Sequence, residues 1–160
     1  MPAEPKPPVS EKSVESQVVN LGASHAVRYG GNENREKLWD VNWQTAQLTI
    51  LESNKFVGRM QTVNGSIFQK GKVVCTYEAK EGIADKQQDL LDLRGSVKLV
   101  SLGYGEVLTC DEVVYDGTKK IAKAKGHVRA AGKMGSVTGP DELWATPDLK
   151  RIATPDLFFK

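Results

Sequence analysis

Leu91-Asp92-Leu93-Arg94-Gly95-Ser96-Val97-Lys98-Leu99 alternates apolar and polar residues, and so does Ala122-Lys123-Ala124-Lys125-Gly126-His127-Val128-Arg129-Ala130. A period of two belongs to a strand with one face buried. The stretches stand 31 residues apart, so Asp85, Gly95 and Val97 recur as Asp116, Gly126 and Val128. A third, partial copy follows. Val137-Thr138 and Asp141-Glu142-Leu143-Trp144 echo Leu108-Thr109 and Asp111-Glu112-Val113-Val114, and Ile152 stands 31 residues after Ile121. A repeat of this length is one supersecondary unit stacked on itself. Here the unit is a hairpin-like strand pair, so the expected fold is all-β, an open stack of antiparallel strand pairs.

The same reading extends in both directions. Trp39, Val41 and Trp43 share one face of a strand that opens near Leu38, and the apolar parity switches before Ala46-Gln47-Leu48, which predicts a bulge. Gln69-Lys70-Gly71-Lys72 is a tight turn with glycine available for positive φ. Val107 to Tyr115 carries a second parity slip, at Asp111-Glu112. Asp116-Gly117 is a hairpin signal. Ile121 to Ala131, Ser136 to Trp144 and Ile152 to Phe159 read as the last strands, with Pro147 and Pro155 at turns or strand edges. The total is about ten or eleven strands, spaced as in a sandwich or barrel-like stack.

Residues 1–36 differ. Four of the seven prolines lie in the first eight residues. This stretch reads as a linker or flexible arm, with a short helix over Ser13 to Leu21 and a short strand over Ala26 to Tyr29 as minor elements. The expected domain is 37–160.

Composition excludes several classes. The 160 residues suit one domain, and a net charge of +2 gives no case for nucleic acid. No window is long and apolar enough to span a bilayer as a helix, and no signal-peptide core is present. Cys75 and Cys110 are too few for a zinc site. They read as small buried thiols, with a disulfide left open. His25 and His127 have no second ligand at metal spacing, and His127 alternates outward. Asp111-Glu112 and Asp141-Glu142 recur with the repeat, as bulge or turn residues would, whereas an acid/base pair would occur once. No nucleophile elbow or phosphate loop is present. The expectation is therefore no enzyme, no cofactor and no metal. Lys119, Lys120, Lys123, Lys125, Arg129 and Lys133 form a basic run, with Lys123, Lys125 and Arg129 on one outward face. Such a face either blunts strand association or attracts anionic phosphates.

Alternation assigns Trp39, Val41, Trp43, Met60, Tyr77, Leu91, Leu93, Val97, Leu99, Leu108, Val113, Tyr115, Val128 and Trp144 inward. A dry core and a lipid-sized groove both need such residues, and pattern alone favours the dry core.

Leu108-Thr109-Cys110-Asp111-Glu112-Val113-Val114-Tyr115-Asp116, then Lys120-Ile121-Ala122 and Gly126-His127-Val128, resembles the repeat of the OstA-like family of lipopolysaccharide-transport proteins. Val63-Asn64-Gly65-Ser66-Ile67-Phe68 followed by Gly71-Lys72-Val73-Val74, with Leu93 to Leu99, is similar to the LptC type within it. The resemblance runs over residues 38–154. It implies a β-jellyroll open at both ends, with the inward residues above lining an apolar lipid-binding groove. It also implies passage of lipopolysaccharide or a related amphipathic lipid, without catalysis, in the periplasm. Implied partners are other Lpt-type jellyrolls, met by edge-strand pairing, and an inner-membrane transporter. Leu157, Phe158 and Phe159 are the expected partner edge strand. A signal peptide or membrane anchor, typical of such proteins, would lie in a segment absent from this chain. The rival reading is a structural adaptor that assembles through its edges and binds no lipid.

Overall fold

Residues 17–30, 36–51, 55–85, 88–103, 105–133 and 135–159 are described by a computed structural model. They form one antiparallel sheet of thirteen strands and contain no helix. Four strands are long: β5 (Phe56–Gln69), β6 (Lys72–Asp85), β7 (Leu90–Ser101) and β8 (Val107–Asp116). The others are shorter: β1 (Gln17–Leu21), β2 (Ser24–Tyr29), β3 (Lys37–Trp43), β4 (Thr45–Ile50), β9 (Ile121–Lys125), β10 (Arg129–Gly132), β11 (Gly135–Thr138), β12 (Glu142–Ala145) and β13 (Ile152–Ala153).

The long strands pass through two half-sheets, and each short strand belongs to one. The first half-sheet holds β1, β4, the start of β5, the end of β6, the start of β7, the end of β8, then β9, β12 and β13. The second holds β2, β3, the other halves of β5 to β8, then β10 and β11. Local backbone chemistry makes the corners between them. Gly95 and Ser96 have φ of 84° and 49°, and Gly126 and His127 have 80° and 49°. A β-carbon on Gly95 would sit 2.9 Å from the Lys80 Cβ, and one on Gly126 2.6 Å from Asp111 Oδ2. Lys80 and Asp111 are themselves one repeat apart. The glycine of each repeat therefore supplies both positive φ and close approach to the neighbouring strand. The register slips at the same places, between Glu78 and Glu81 and between Arg94 and Val97. The repeated aspartates end the strands alike. Asp85 Oδ1 accepts the Gln88 N–H at 3.2 Å, and Asp116 Oδ1 accepts the Lys119 N–H at 3.0 Å.

The inner faces meet in one apolar cluster. Across the second half-sheet, Val41, Gly65, Tyr77, Leu99, Leu108 and Ala130 face one another strand by strand. Across the first, Met60, Gly82, Leu93, Val113, Ala124 and Leu143 do the same. Small residues stand beside large ones, so the layers interdigitate. Tyr77 reaches under Gly65, and its hydroxyl donates to the Asp40 carbonyl at 2.5 Å. Leu91, Leu93, Leu99 and Leu108 have essentially no exposure, and each contributes about 2 kcal/mol of transfer free energy.

Several strand limits differ from the sequence reading. Ile121 to Ala131 is two strands, because the Gly126-His127 corner carries the chain from the first half-sheet to the second. Lys123 and Lys125 on β9 therefore do not share a strand face with Arg129 on β10. Ser136 to Trp144 divides into β11 and β12 around Gly139, whose φ is 117°. Gln17–Leu21 is a strand paired with β4 rather than part of a helix, while Ser13 to Ser16 lie outside the described residues. β2 pairs with β3, so the stretch read as an arm carries two strands of the sheet. Its proline cluster lies outside the described residues.

Candidate functional site

An apolar cavity of about 200 Å³ opens between the half-sheets at the β1–β2 end. Ala26, Val27, Trp39, Val41 and Trp43 wall it from the second half-sheet. Leu48, Phe56, Gly58, Met60 and Ala84 wall it from the first. Strand alternation puts these side chains there. Trp39, Val41 and Trp43 fall on one face of β3, and the Gln44 corner, whose N–H donates to the Gln61 carbonyl at 3.0 Å, hands the chain to β4 with opposite parity. The parity switch in the sequence is this corner. Gly58 keeps the floor low, since a β-carbon there would meet only Leu48 Cδ1 at 3.6 Å.

Trp39 Nε1, itself buried, has no hydrogen-bond partner among the described residues, whereas Trp43 and Arg28 at this end do. Trp43 Nε1 donates to the Gly22 carbonyl at 2.9 Å. Arg28, on the rim, donates from Nε to Asp89 Oδ1 at 3.2 Å and from Nη1 to the Tyr29 carbonyl at 2.7 Å. The Arg28–Asp89 pair ties an edge strand of the second half-sheet to the β6–β7 turn.

A second opening lies at the other end of the strand order. It is bordered by Ala130, Ala131 and Val137 of β10 and β11, and by Leu143 and Ile152 of β12 and β13. Between the openings the interior is filled. Tyr77, Leu91, Leu93, Val97, Leu99, Leu108, Val113, Tyr115 and Val128 are buried in the common cluster, as alternation places them. Of the inward residues, four border the β1–β2 cavity: Trp39, Val41, Trp43 and Met60.

Trp144 is on the outer face, contrary to its inward assignment. Leu143 and Ala145 take the inward positions of β12. The Trp144 ring lies 4.6 Å from Lys123 Nζ and makes edge contacts with Phe158 and Phe159, at 6.0 and 6.2 Å. Residues 155–159 form turns, so Leu157, Phe158 and Phe159 are not an edge strand. The Leu157 N–H closes onto the Thr154 carbonyl at 3.0 Å, and Pro155 in between cannot donate to a ladder. Phe158 is buried under this hook, whereas Phe159 is exposed.

The titratable groups fit structural roles. Burial pushes the Cys75 thiol up to about 12 and the Cys110 thiol up to about 11, and both are free. They stay protonated and apolar, as small core residues do. Among the described residues no three His, Cys, Asp or Glu side chains group as metal ligands. His127 Nδ1 lies 2.7 Å from Asp111 Oδ2 at the corner, and this hydrogen bond raises the imidazole above its ordinary range. The sign follows: the contact favours the folded chain in mildly acidic solution, and the contribution is lost as pH rises through the raised value. Asp111→Asn should return the His127 titration, followed by NMR, to the ordinary range. An unchanged midpoint would count against this contact.

The model of the lipopolysaccharide-assembly, LptC-related family matches residues 45–140, from β4 through β11. The chain belongs to that family. No curated protein matches it. In this LptC-related chain the matched range contains all the repeat corners, and the first half-sheet's wall of the cavity with them. The β2–β3 wall, with Trp39, Val41 and Trp43, precedes it. No helix among the described residues is long and apolar enough to cross a membrane.

Proposed function

We propose that this LptC-related chain is a non-enzymatic lipid-binding module. It acts in the periplasm, accepting acyl chains of lipopolysaccharide or a related amphipathic lipid and passing them to a neighbouring jellyroll. The observation that carries this reading is the apolar cavity between the half-sheets at an open end. Burial of acyl chain there is favourable by about 0.8 kcal/mol per methylene. A photo-crosslinking residue at Leu48 or Phe56 should capture lipopolysaccharide, while one at Lys98, on the outer face, should not. Equal capture at both places would remove the case for an interior site.

Transfer needs a partner. β11 is paired only with β10 among the described residues, and it carries the exposed Val137. An edge of this kind offers a ladder to another strand. This edge replaces Leu157 to Phe159 as the proposed contact with another Lpt-type jellyroll, with an inner-membrane transporter at the opposite end. Of two consecutive strand residues one N–H faces outward, so proline is placed separately at Ser136 and Val137. One variant should lose partner binding while circular dichroism stays that of the folded protein. Binding retained by both would move the contact to β1 or β2.

The closed middle of the interior supports a second reading, a structural adaptor that assembles through its edges. It predicts no lipid capture at Leu48.

A further inference from the structure

The second opening, about 400 Å³ between β10–β11 and β12–β13, has one charged side chain in its lining, Glu106. Strand alternation puts it on the inner face. Leu108 and Ala130 face each other inward across β8 and β10, and Val107 is opposite Ala131 one step on. The next step returns to the inner face and brings Glu106 beside Gly132. Glu106 directly precedes β8, and its backbone carbonyl accepts the Ser101 N–H at 2.8 Å, which keeps it in line with the strand. Its carboxylate lies over Gly132: a β-carbon there would overlap Glu106 Oε2 and sit 2.6 Å from Cδ. Gly132 pairs in turn with Gly135, so the row beyond the carboxylate carries no side chain. A β-carbon at Gly135 would meet nothing within 4 Å.

We propose that this opening binds a cationic amphiphile, a primary ammonium group on an apolar chain, with Glu106 as its anionic contact. The site is separate from the β1–β2 cavity and does not depend on what that cavity holds. Around the carboxylate stand Ala130 and Val137 of the second half-sheet and Leu143 and Ile152 of the first. Glu106 is partly buried, and among the described residues its carboxylate has no ion-pair or hydrogen-bond partner. The cations of the β10–β11 hairpin do not supply one. Arg129, opposite Thr109 and Thr138, is on the outer face, and Lys133 is exposed on the turn. A carboxylate against apolar walls is favoured by a cation that brings hydrogen-bond donors of its own. The lining narrows that cation. A divalent metal ion takes several oxygen ligands, and among the described residues no three His, Cys, Asp or Glu side chains group together. A quaternary ammonium is held by aromatic faces, and no aromatic ring lines this opening. A primary ammonium carries three donors for the carboxylate, and its hydrocarbon chain covers the four apolar side chains.

The test uses the intact protein with decylamine, decanol and decanoate, each presented from cyclodextrin at neutral pH, where the amine is cationic and the acid anionic. Methyl resonances report by two-dimensional ¹³C NMR: Ala130 and Val137 for this opening, Ala84 for the β1–β2 cavity. Decylamine should move Ala130 and Val137 and bind roughly five- to tenfold more tightly than decanol, with decanoate weaker than both. Glu106→Gln should remove the preference for the amine and leave decanol within about twofold. Glu106→Lys should put decanoate ahead of decylamine. Circular dichroism checks that both variants are folded. Equal affinity for amine and alcohol in the wild-type protein would overturn the proposal, as would a preference for the amine that survives either substitution. Shifts confined to Ala84 would place the amphiphile in the β1–β2 cavity, which overturns this site and leaves the lipid-binding reading standing. Failure of all three to move Ala130 and Val137 overturns it as well.

Discussion

Gly65→Ala is expected to destabilise the protein by about 3 kcal/mol, roughly 6–12 °C in melting temperature for a chain of this length. Gly65 is at the centre of the second half-sheet, opposite Val41 on one side and Tyr77 on the other. A β-carbon there would overlap the Asp40 carbonyl oxygen and lie 2.6 Å from the Tyr77 hydroxyl. Neither can yield cheaply. The Asp40 carbonyl lies on β3, and its neighbourhood is pinned by the Ser66 N–H, which donates to Asp40 Oδ1 at 2.8 Å. The Tyr77 hydroxyl donates to that same carbonyl, and burial together with Asp40 raises the phenol well above its ordinary range. Tyr77→Phe would leave the carbonyl without this donor. The double variant Gly65→Ala with Tyr77→Phe should then lose less than the sum of the two, because phenylalanine removes one of the atoms that the new methyl strikes. Differential scanning calorimetry measures all three. A melting temperature for Gly65→Ala within about 2 °C of wild type would mean that β3 and β5 are farther apart than this packing requires.

The same position shows how the sequence could and could not be read. Gly65 sits in the Val63-to-Phe68 motif that resembles LptC, and its purpose is visible only when Asp40, distant in sequence, is brought beside it. The corners were more legible. Gly95 and Gly126, copied at one interval with their aspartates and valines, mark where the strands turn from one half-sheet to the other. The parity slip at Asp111-Glu112 marks the same line on β8, where Cys110 and Val113 both face inward. Such features are local, because a switch in alternation follows directly from an extra residue in the ladder.

What escaped the sequence reading depends on distant partners. β1 is mostly exposed and earns its strand conformation from pairing with β4, so Gln17–Leu21 carries little pattern of its own. Trp144 lies between Leu143 and Ala145, and three apolar residues in succession do not say which face is buried. The decision comes from Lys123, Phe158 and Phe159, which cover the ring from outside. The Leu157 to Phe159 segment looks strand-like by composition, but the Leu157–Thr154 hydrogen bond around Pro155 makes it a hook. The orphan indole of Trp39 is the extreme case. The cavity beside it is assembled from β1 to β6, and no spacing within one strand announces it.

The second large effect concerns the filled middle of the interior, where the two functional readings part. Leu99 is buried between Tyr77 and Leu108, its cross-strand neighbours. Leu99→Ala should cost about 2–5 kcal/mol, from lost transfer free energy and the cavity left behind. Leu99→Met, which conserves volume, should cost less than about 1.5 kcal/mol. In an adaptor these losses are the whole effect, and no lipid is captured anywhere. In a transfer module the same substitution opens space in the filled interior between the two openings. A crosslinking residue at Ala130, on the far opening, then gains capture of lipid supplied at the β1–β2 end, although the protein is less stable. The gain should be absent in Leu99→Met, which separates widening from mere change of side chain. Wild-type protein sets the baseline, because there the half-sheets must part at Leu91 and Leu99 before an acyl chain can move inward. Lower capture at Ala130 in Leu99→Ala than in wild type, with both proteins folded at the temperature of the assay, would argue that lipid does not travel through the middle. The route would then run from the end cavity directly to a partner strand, along the rim held by Arg28 and Asp89.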